Sequence, residues 1–365
     1  MDSSEETLQK NDNNPSTMGA KSNEGAQVRL NKIELGKLAH RPVYFVNPGS
    51  WPKEIKLHPD INGMIANSST NSLNREFIPP CLKERLEKDV KFDRIHPENI
   101  MEDQRNRLIS AAEALRLYLE VTKIVQIAEQ VEESGVGREG WSTVVEAILQ
   151  MEVRNERLDM QARDPFADEL VLSKSRRICP ELFPELSDRT ATESIDYVLS
   201  YNSENSGCER FYREFQAKHP LTKLSPFNDG GTPMIPALMV AMREQGGDSV
   251  AAHYQCALAT VASVYHQITF NQSIMGPKFK ERGFSYIPVP FLTVIGHNWN
   301  VHWMYQEETG KSVVIGSGVM GATSSLLEAV KLVSNLQNLR YMLGFVYWMY
   351  VHSVFGVENR DCCIM

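Results

Sequence analysis

Cysteine is scarce in this chain, and the few that are present are not spaced for pairing. Cys81, Cys179, Cys208, Cys256, Cys362 and Cys363 are scattered along the sequence with no Cys-x-x-Cys spacing among them. This excludes a zinc ribbon and a disulfide scaffold, and it points to a reducing compartment. A basic surplus is also missing, since the formal net charge is −8. Phosphate neutralisation supplies most of the affinity of a nucleic-acid binder, so that class usually carries a positive balance. Nucleic acid as a partner would here need a local basic groove set against the overall charge. The N-terminus is polar and acidic with no apolar run, so no signal peptide is expected and an intracellular protein, cytoplasmic or nuclear, is predicted. Internal repeats are absent as well.

What is present is ordinary globular composition, 42% hydrophobic and 23% charged. Residues 1–30 are rich in Ser, Glu, Asn, Gln and Lys and lack aromatics. Such a segment buries too little apolar surface to offset ordering entropy, and a disordered arm is predicted. Residues 31–102 are punctuated by Pro and Asn and read as an irregular lead-in with a short helix at Pro80–Lys91. The main domain is expected over residues 103–356, followed by a tail over 357–365.

Within the main domain, Leu108, Ala111, Ala112, Leu115, Leu119, Val121, Ile124, Ile127 and Ala128 recur at helical spacing until Gly135 and Gly137 interrupt them. A second helix carries Trp141, Val144, Val145, Ile148, Leu149 and Val153 on its apolar side. Ile195–Tyr201 reads as a strand, and Ile235–Met242 as a buried central strand. Gly246-Gly247-Asp248 is a turn, and Ser249 is placed to cap a helix running to about Phe270. Val289–Ile295, Trp299–Tyr305 and Ser312–Ile315 read as a meander, and a last helix begins near Thr323-Ser324-Ser325. The order helix, helix, strand, helix, strand, helix, three strands, helix predicts an α/β (α+β) domain, a mixed sheet flanked by helices.

Carboxylates fall at suggestive places in this order: Glu139 at the start of the second helix, Asp196 in the first strand, Glu244 and Asp248 just past the next. A Mg²⁺ site needs one or two carboxylates held on rigid elements, with waters and substrate phosphates completing the shell. Several segments then resemble, in order, the PD-(D/E)XK nuclease-like domain found in many fungal proteins. Ile78-Pro79-Pro80 with Leu82–Leu86 resembles its lead-in helix, and Glu139-Gly140-Trp141 with Val144-Val145 its Glu-x-Trp helix. Ile195-Asp196-Tyr197 resembles its Val-Asp-Phe strand, and Pro236–Arg243 with Gly246-Gly247-Asp248 its Glu-x-Lys … Gly-Gly strand and turn. Gln255 falls where the family has a Gln, and Ile295-Gly296-His297-Asn298-Trp299 resembles its Gln-Gly-His-x-Trp hairpin. The resemblance runs over roughly residues 78–350.

The resemblance implies a restriction-endonuclease-like core with a helical N-terminal lead-in, and a Mg²⁺ held by an Asp and a Glu beside a Lys. Asp196 matches the Asp. Counting back from Gly246-Gly247 puts Ala241 at the Glu and Arg243 at the Lys. Alanine cannot ligate a metal, and arginine cannot serve as a base. The sequence is therefore identified as a degenerate member. Catalytic roles fall to Asp196, Arg243 and Gln255, and metal-ligand roles to Asp196, Glu139 and Glu244, the last only with a one-residue shift of its strand. Against this, Arg243 pairing with Asp196 or Glu139 would make a charge network in place of a metal. Gln255 would then be a buried amide satisfied by backbone, His297 a turn residue, and Trp299 and Trp303 core residues on one strand face.

Three functions remain open on this reading: a non-catalytic binding or accessory protein with a nucleic-acid or protein partner, an active Mg²⁺-dependent nuclease, and a membrane-associated protein. The last rests on the tail. Cys362-Cys363-Ile364-Met365 fits a prenylation pattern, with Cys362 as the lipidated residue. Tyr341–Phe355 just before it is apolar and aromatic, and reads either as a core helix or as an interfacial anchor, being too short to span ~20 residues of bilayer.

Overall fold

The computed structural model describes residues 43–46, 78–89, 95–100, 111–151, 170–182, 194–202, 206–220, 225–228, 234–275, 288–306 and 311–344. The N-terminal arm over 1–30, Cys362 with its tail, and the part of Tyr341–Phe355 beyond residue 344 lie outside these residues. Among the described residues, seven strands form one sheet: β1 Val43–Val46, β2 Leu170–Arg177, β3 Ser194–Asn202, β4 Met234–Arg243, β5 Val289–Ile295, β6 Asn298–Gln306 and β7 Ser312–Ala322. Six helices accompany them there: α1 Lys83–Asp89, α2 Ala111–Ser134, α3 Arg138–Gln150, α4 Ser206–Lys218, α5 Ser249–Met275 and α6 Leu326–Met342. The strand order is β1-β7-β6-β5-β4-β3-β2. The β1–β7 and β4–β5 pairs are parallel and the others antiparallel. The expected mixed sheet flanked by helices is thus the one observed.

β4 lies inside this sheet between β3 and β5, and its sequence explains the position. Every residue from Met234 to Met242 is buried, as a strand covered on both faces requires. Pro236 is the exception to good central-strand chemistry, since it has no N–H for the ladder. The β3–β4 register shifts between Leu199 and Ser200, opposite this proline, and the irregularity absorbs the missing donor. Side chains on alternate β4 residues serve opposite layers. Arg243 reaches α5, while Val240 pairs with Tyr197 of β3, which reaches α3. The buried stretch of α5 is apolar on nearly every side, from Ala252 and Cys256 to Val264, as expected of a helix laid centrally over β4 and β5. On the other layer α2 packs on α3 and α6, with α3 against β4 and α6 against β7.

Side chains tie the layers at their ends. Ser325 caps α6 by accepting from the Glu328 N–H at 3.3 Å. Tyr201 of β3 donates to the Leu343 carbonyl just past α6. Arg340 of α6 donates to the Leu149 and Met151 carbonyls, both at 3.2 Å, closing the C-terminal end of α3. Replacing Arg340 by alanine leaves those carbonyls without this donor, and a loss of about 1–2 kcal/mol in urea unfolding is expected, partly recovered by Arg340→Lys.

The structure departs from the sequence reading in several places. Val43–Val46 lies in the segment that reads as an irregular lead-in, yet it is a strand paired with β7 over Val43 to Val46. Leu170–Arg177 has no place among the strands expected from the sequence, and it pairs with β3 along most of its length. Its polar Ser-Lys-Ser-Arg-Arg half carries no strand signature, because a terminal strand has only one neighbour to satisfy. β7 runs on to Ala322 rather than stopping at Ile315, since bulges against β6 accommodate its glycines. The α5 cap is Asp248 rather than Ser249, its Oδ1 accepting from the N–H groups of Val250 at 2.8 Å and Ala251 at 3.1 Å. Trp299 and Trp303 are both buried in the core, as expected.

Candidate active site

The candidate site forms where β3 and β4 part. Their ladder ends at the Tyr197–Val240 pair, beyond which Asp196 is the next residue of β3 and Ala241 the next of β4. The freed Met242 N–H does not go to β3 backbone. It donates to Asp196 Oδ2 at 2.8 Å, so the carboxylate closes the ladder and is oriented by it. Asp196 is buried, at 9% exposure. A buried carboxylate requires compensating charge. Arg138, at the first position of α3, is paired with Oδ1, and Arg243 lies 3.5 Å from Oδ2. Arg243 also donates to the Met242 carbonyl at 2.7 Å and to Gln255 Oε1 at 2.8 Å, and the Gln255 amide donates to the Ser194 carbonyl.

Asp196, Arg243 and Gln255, the three residues expected in catalytic roles, are therefore brought together by direct hydrogen bonds. Glu139 and Glu244 are not brought to Asp196 as ligands. Both are exposed, and among the described residues no three His, Cys, Asp or Glu side chains gather as a metal would need. Glu139 misses by helix geometry: its neighbour Arg138 faces Asp196, and one residue along a helix turns a side chain by about 100°. Glu244 follows Arg243 past the end of β4, and its Oε2 lies 3.5 Å from where a Cβ on Gly137 would stand, over the α2–α3 turn. The shift that would have turned Glu244 inward does not occur, because β4 keeps its register with β5 through the Arg243–Ile295 pair.

The family chemistry implies Mg²⁺ here, and the residues present do not fit it. Ala241, where the resemblance would expect the second carboxylate, offers a fully buried methyl group. Both Asp196 oxygens already face guanidinium groups. A hard cation coordinated by oxygens has at this point one carboxylate, and that one is neutralised.

Two neighbouring arrangements were not legible in the sequence. Arg138, Ser142 and Glu146 recur every four residues on α3 and form one stripe against β3 and β2. Ser142 Oγ is 2.7 Å from Tyr197 Oη, the Tyr197 hydroxyl reaches Glu146 at 3.3 Å, and Lys174 of β2 pairs with Glu146 at 2.5 Å. Burial, with the Glu146 carboxylate close by, pushes the Tyr197 hydroxyl up to about 12. Burial works against the charged form of Glu146 as well, but hydrogen bonds from Lys174 and Ser142 outweigh it and hold the carboxyl below its ordinary value. The second arrangement centres on His297, which is a turn residue between β5 and β6 but is also buried. Its Nδ1 lies 3.0 Å from Thr323 Oγ1 and its Nε2 3.1 Å from Glu132 Oε2, with its ring edge-on to Trp141 at 4.8 Å. Thr323 is fully buried, so its hydroxyl is no nucleophile. The cluster joins α2, α3, the hairpin and the β7–α6 junction beside the site. Cys256 of α5 packs under the site and donates to the Leu292 carbonyl at 3.2 Å, and burial pushes its thiol well above the ordinary range.

A mixed sheet with a carboxylate at the splaying ends of two central strands, and a cationic residue two positions beyond its partner, is the frame of a nuclease-type domain. The family model of the PD-(D/E)XK nuclease superfamily matches residues 85–348, well over half of the chain, and the protein belongs to that superfamily. No curated protein and no solved structure matches the chain. Among the described residues no helix is long and apolar enough to cross a membrane.

Proposed function

We propose that this protein is a non-catalytic member of the nuclease superfamily, which keeps the fold as a binding or accessory scaffold for a nucleic-acid or protein partner. The observation that carries the reading is Ala241: it is wholly buried, and counting back from Gly246-Gly247 puts it where the resemblance expects the second carboxylate. The one carboxylate left, Asp196, already has both oxygens facing guanidinium groups, so it is not open to clamp a metal that would position a water against a phosphodiester. Arg243 at the lysine position adds to this, because its guanidinium stays protonated and cannot take a proton from water. Cys81 and Cys256 are free thiols, which supports an intracellular, reducing setting.

The test is calorimetric titration of the full chain with Mg²⁺ and Mn²⁺, beside Asp196→Asn, together with cleavage assays on DNA and RNA. No heat of binding in either protein and no cleavage by the wild type are expected. Binding by the wild type that Asp196→Asn abolishes, with cleavage to match, would establish the active metal nuclease instead.

A further inference from the structure

The Arg243 guanidinium is ringed by oxygens, and each oxygen is fixed from behind. Nη1 donates to the Met242 carbonyl at 2.7 Å and lies 3.5 Å from Asp196 Oδ2, and Nη2 donates to Gln255 Oε1 at 2.8 Å. The Met242 carbonyl belongs to β4. Asp196 is held by the Met242 N–H at 2.8 Å. Gln255 is oriented by its own amide, which donates to the Ser194 carbonyl. A carboxylate, a side-chain amide oxygen and a peptide carbonyl are the hard donors that a hard cation collects. Here they close on a cation that the chain itself supplies. Arg243 is 22% exposed, so its charge is largely removed from water and depends on these partners. Arg138 is 52% exposed and covers the remaining Asp196 oxygen from the solvent side.

We propose that Arg243 is the resident cation of this site, a guanidinium tethered to β4 that fills an oxygen cage and makes the protein indifferent to divalent metal. The proposal rests on the non-catalytic reading and deepens it: metal has not merely been lost, because its electrostatic place is filled from within. A tethered cation cannot dissociate, so the charge of Asp196 is balanced at every metal concentration. The cage itself remains cation-selective. Emptied of its guanidinium, it is expected to take up a small cation from solution, either free guanidinium or a divalent ion.

The experiment is thermal unfolding of the full chain as wild type, Arg243→Met and Arg243→Lys. Each is measured with millimolar MnCl₂, MgCl₂ or guanidinium chloride against NaCl at matched ionic strength. The wild type and Arg243→Lys are expected to show no cation-specific shift. Arg243→Met is expected to melt lower by roughly 4–8 °C and to recover at least half of that loss with Mn²⁺ or guanidinium but not with NaCl. If Arg243→Met folds only when one of those cations is added, the proposal stands. If it gains nothing from either, or stays unfolded with both, or if Arg243→Lys responds as strongly, the proposal is overturned. The two readings separate cleanly. A wild type that binds Mg²⁺ and cleaves overturns both, whereas an inert wild type with an unrescued Arg243→Met overturns the tethered cation alone.

Discussion

Asp196→Ala is expected to lower the stability of the protein by about 3 kcal/mol, seen as a drop of about 6 °C or more in melting temperature. Three groups lose their acceptor at once: the Met242 N–H, Arg243 and Arg138. Arg138 is half-exposed and water replaces its partner at little cost. Arg243 is mostly enclosed, and its uncompensated charge with the orphaned N–H accounts for the bulk of the loss. Asp196→Asn keeps an oxygen for the Met242 N–H, so it is expected to lose less than Asp196→Ala. Asp196→Ala combined with Arg243→Met is expected to recover much of the stability, because only the half-exposed Arg138 is then left without the carboxylate and no enclosed charge remains. A double-mutant cycle by urea unfolding measures the coupling, and additive single effects would mean that Asp196 and Arg243 do not act as a pair. In a metal enzyme the same aspartate is a burden on the fold until its metal binds, so Asp196→Ala would raise stability rather than lower it.

Gly321→Ala is expected to be nearly as damaging, at about 3 kcal/mol, although it adds one methyl group. Gly321 stands in β7 opposite Trp299, with φ of +143, a region that residues with a Cβ avoid. A Cβ there would lie 2.8 Å from the Glu328 carbonyl oxygen and 2.8 Å from the Leu332 nitrogen, both backbone atoms of α6. Backbone cannot rotate aside as a flexible side chain does, so the helix must lift from the sheet. Gly246→Ala is the control. Gly246 has φ of +76 but nothing within 4 Å of the new methyl, and only a conformational cost of about 1 kcal/mol is expected. Equal losses at the two positions would show that backbone conformation, not the contact between β7 and α6, sets the cost at Gly321.

Legibility of the sequence followed burial. β3 to β6 were readable nearly to the residue because they are interior strands, and a short continuous apolar run between turn residues is what burial on both faces demands. β1 and β2 were not, because each lies at a sheet end and needs apolar residues only where a neighbour covers it. The site was half legible. Asp196, Arg243 and Gln255 were grouped by the resemblance to the nuclease family, with Arg243 placed by counting back from Gly246-Gly247. For α3 the sequence points to Glu139, whereas the residue that meets Asp196 is Arg138, one position away. A first-turn residue of α3 can face the site or the solvent, and the sequence carries the same helix for both.

The order of elements from β3 to α6, the apolar β4, the alanine at position 241 and the arginine at position 243 were determined by the sequence alone, because each is a matter of residue type and local period. Which charges meet was decided only by tertiary structure. The rotation of α3 that turns Arg138 rather than Glu139 towards Asp196 depends on where α3 lies over β3 and β4. So does the placing of Glu244 over the α2–α3 turn, and the closing of three oxygens around Arg243. Electrostatic partnership falls off over a few ångströms, and distances of that size are set by the packing of layers that lie far apart in sequence.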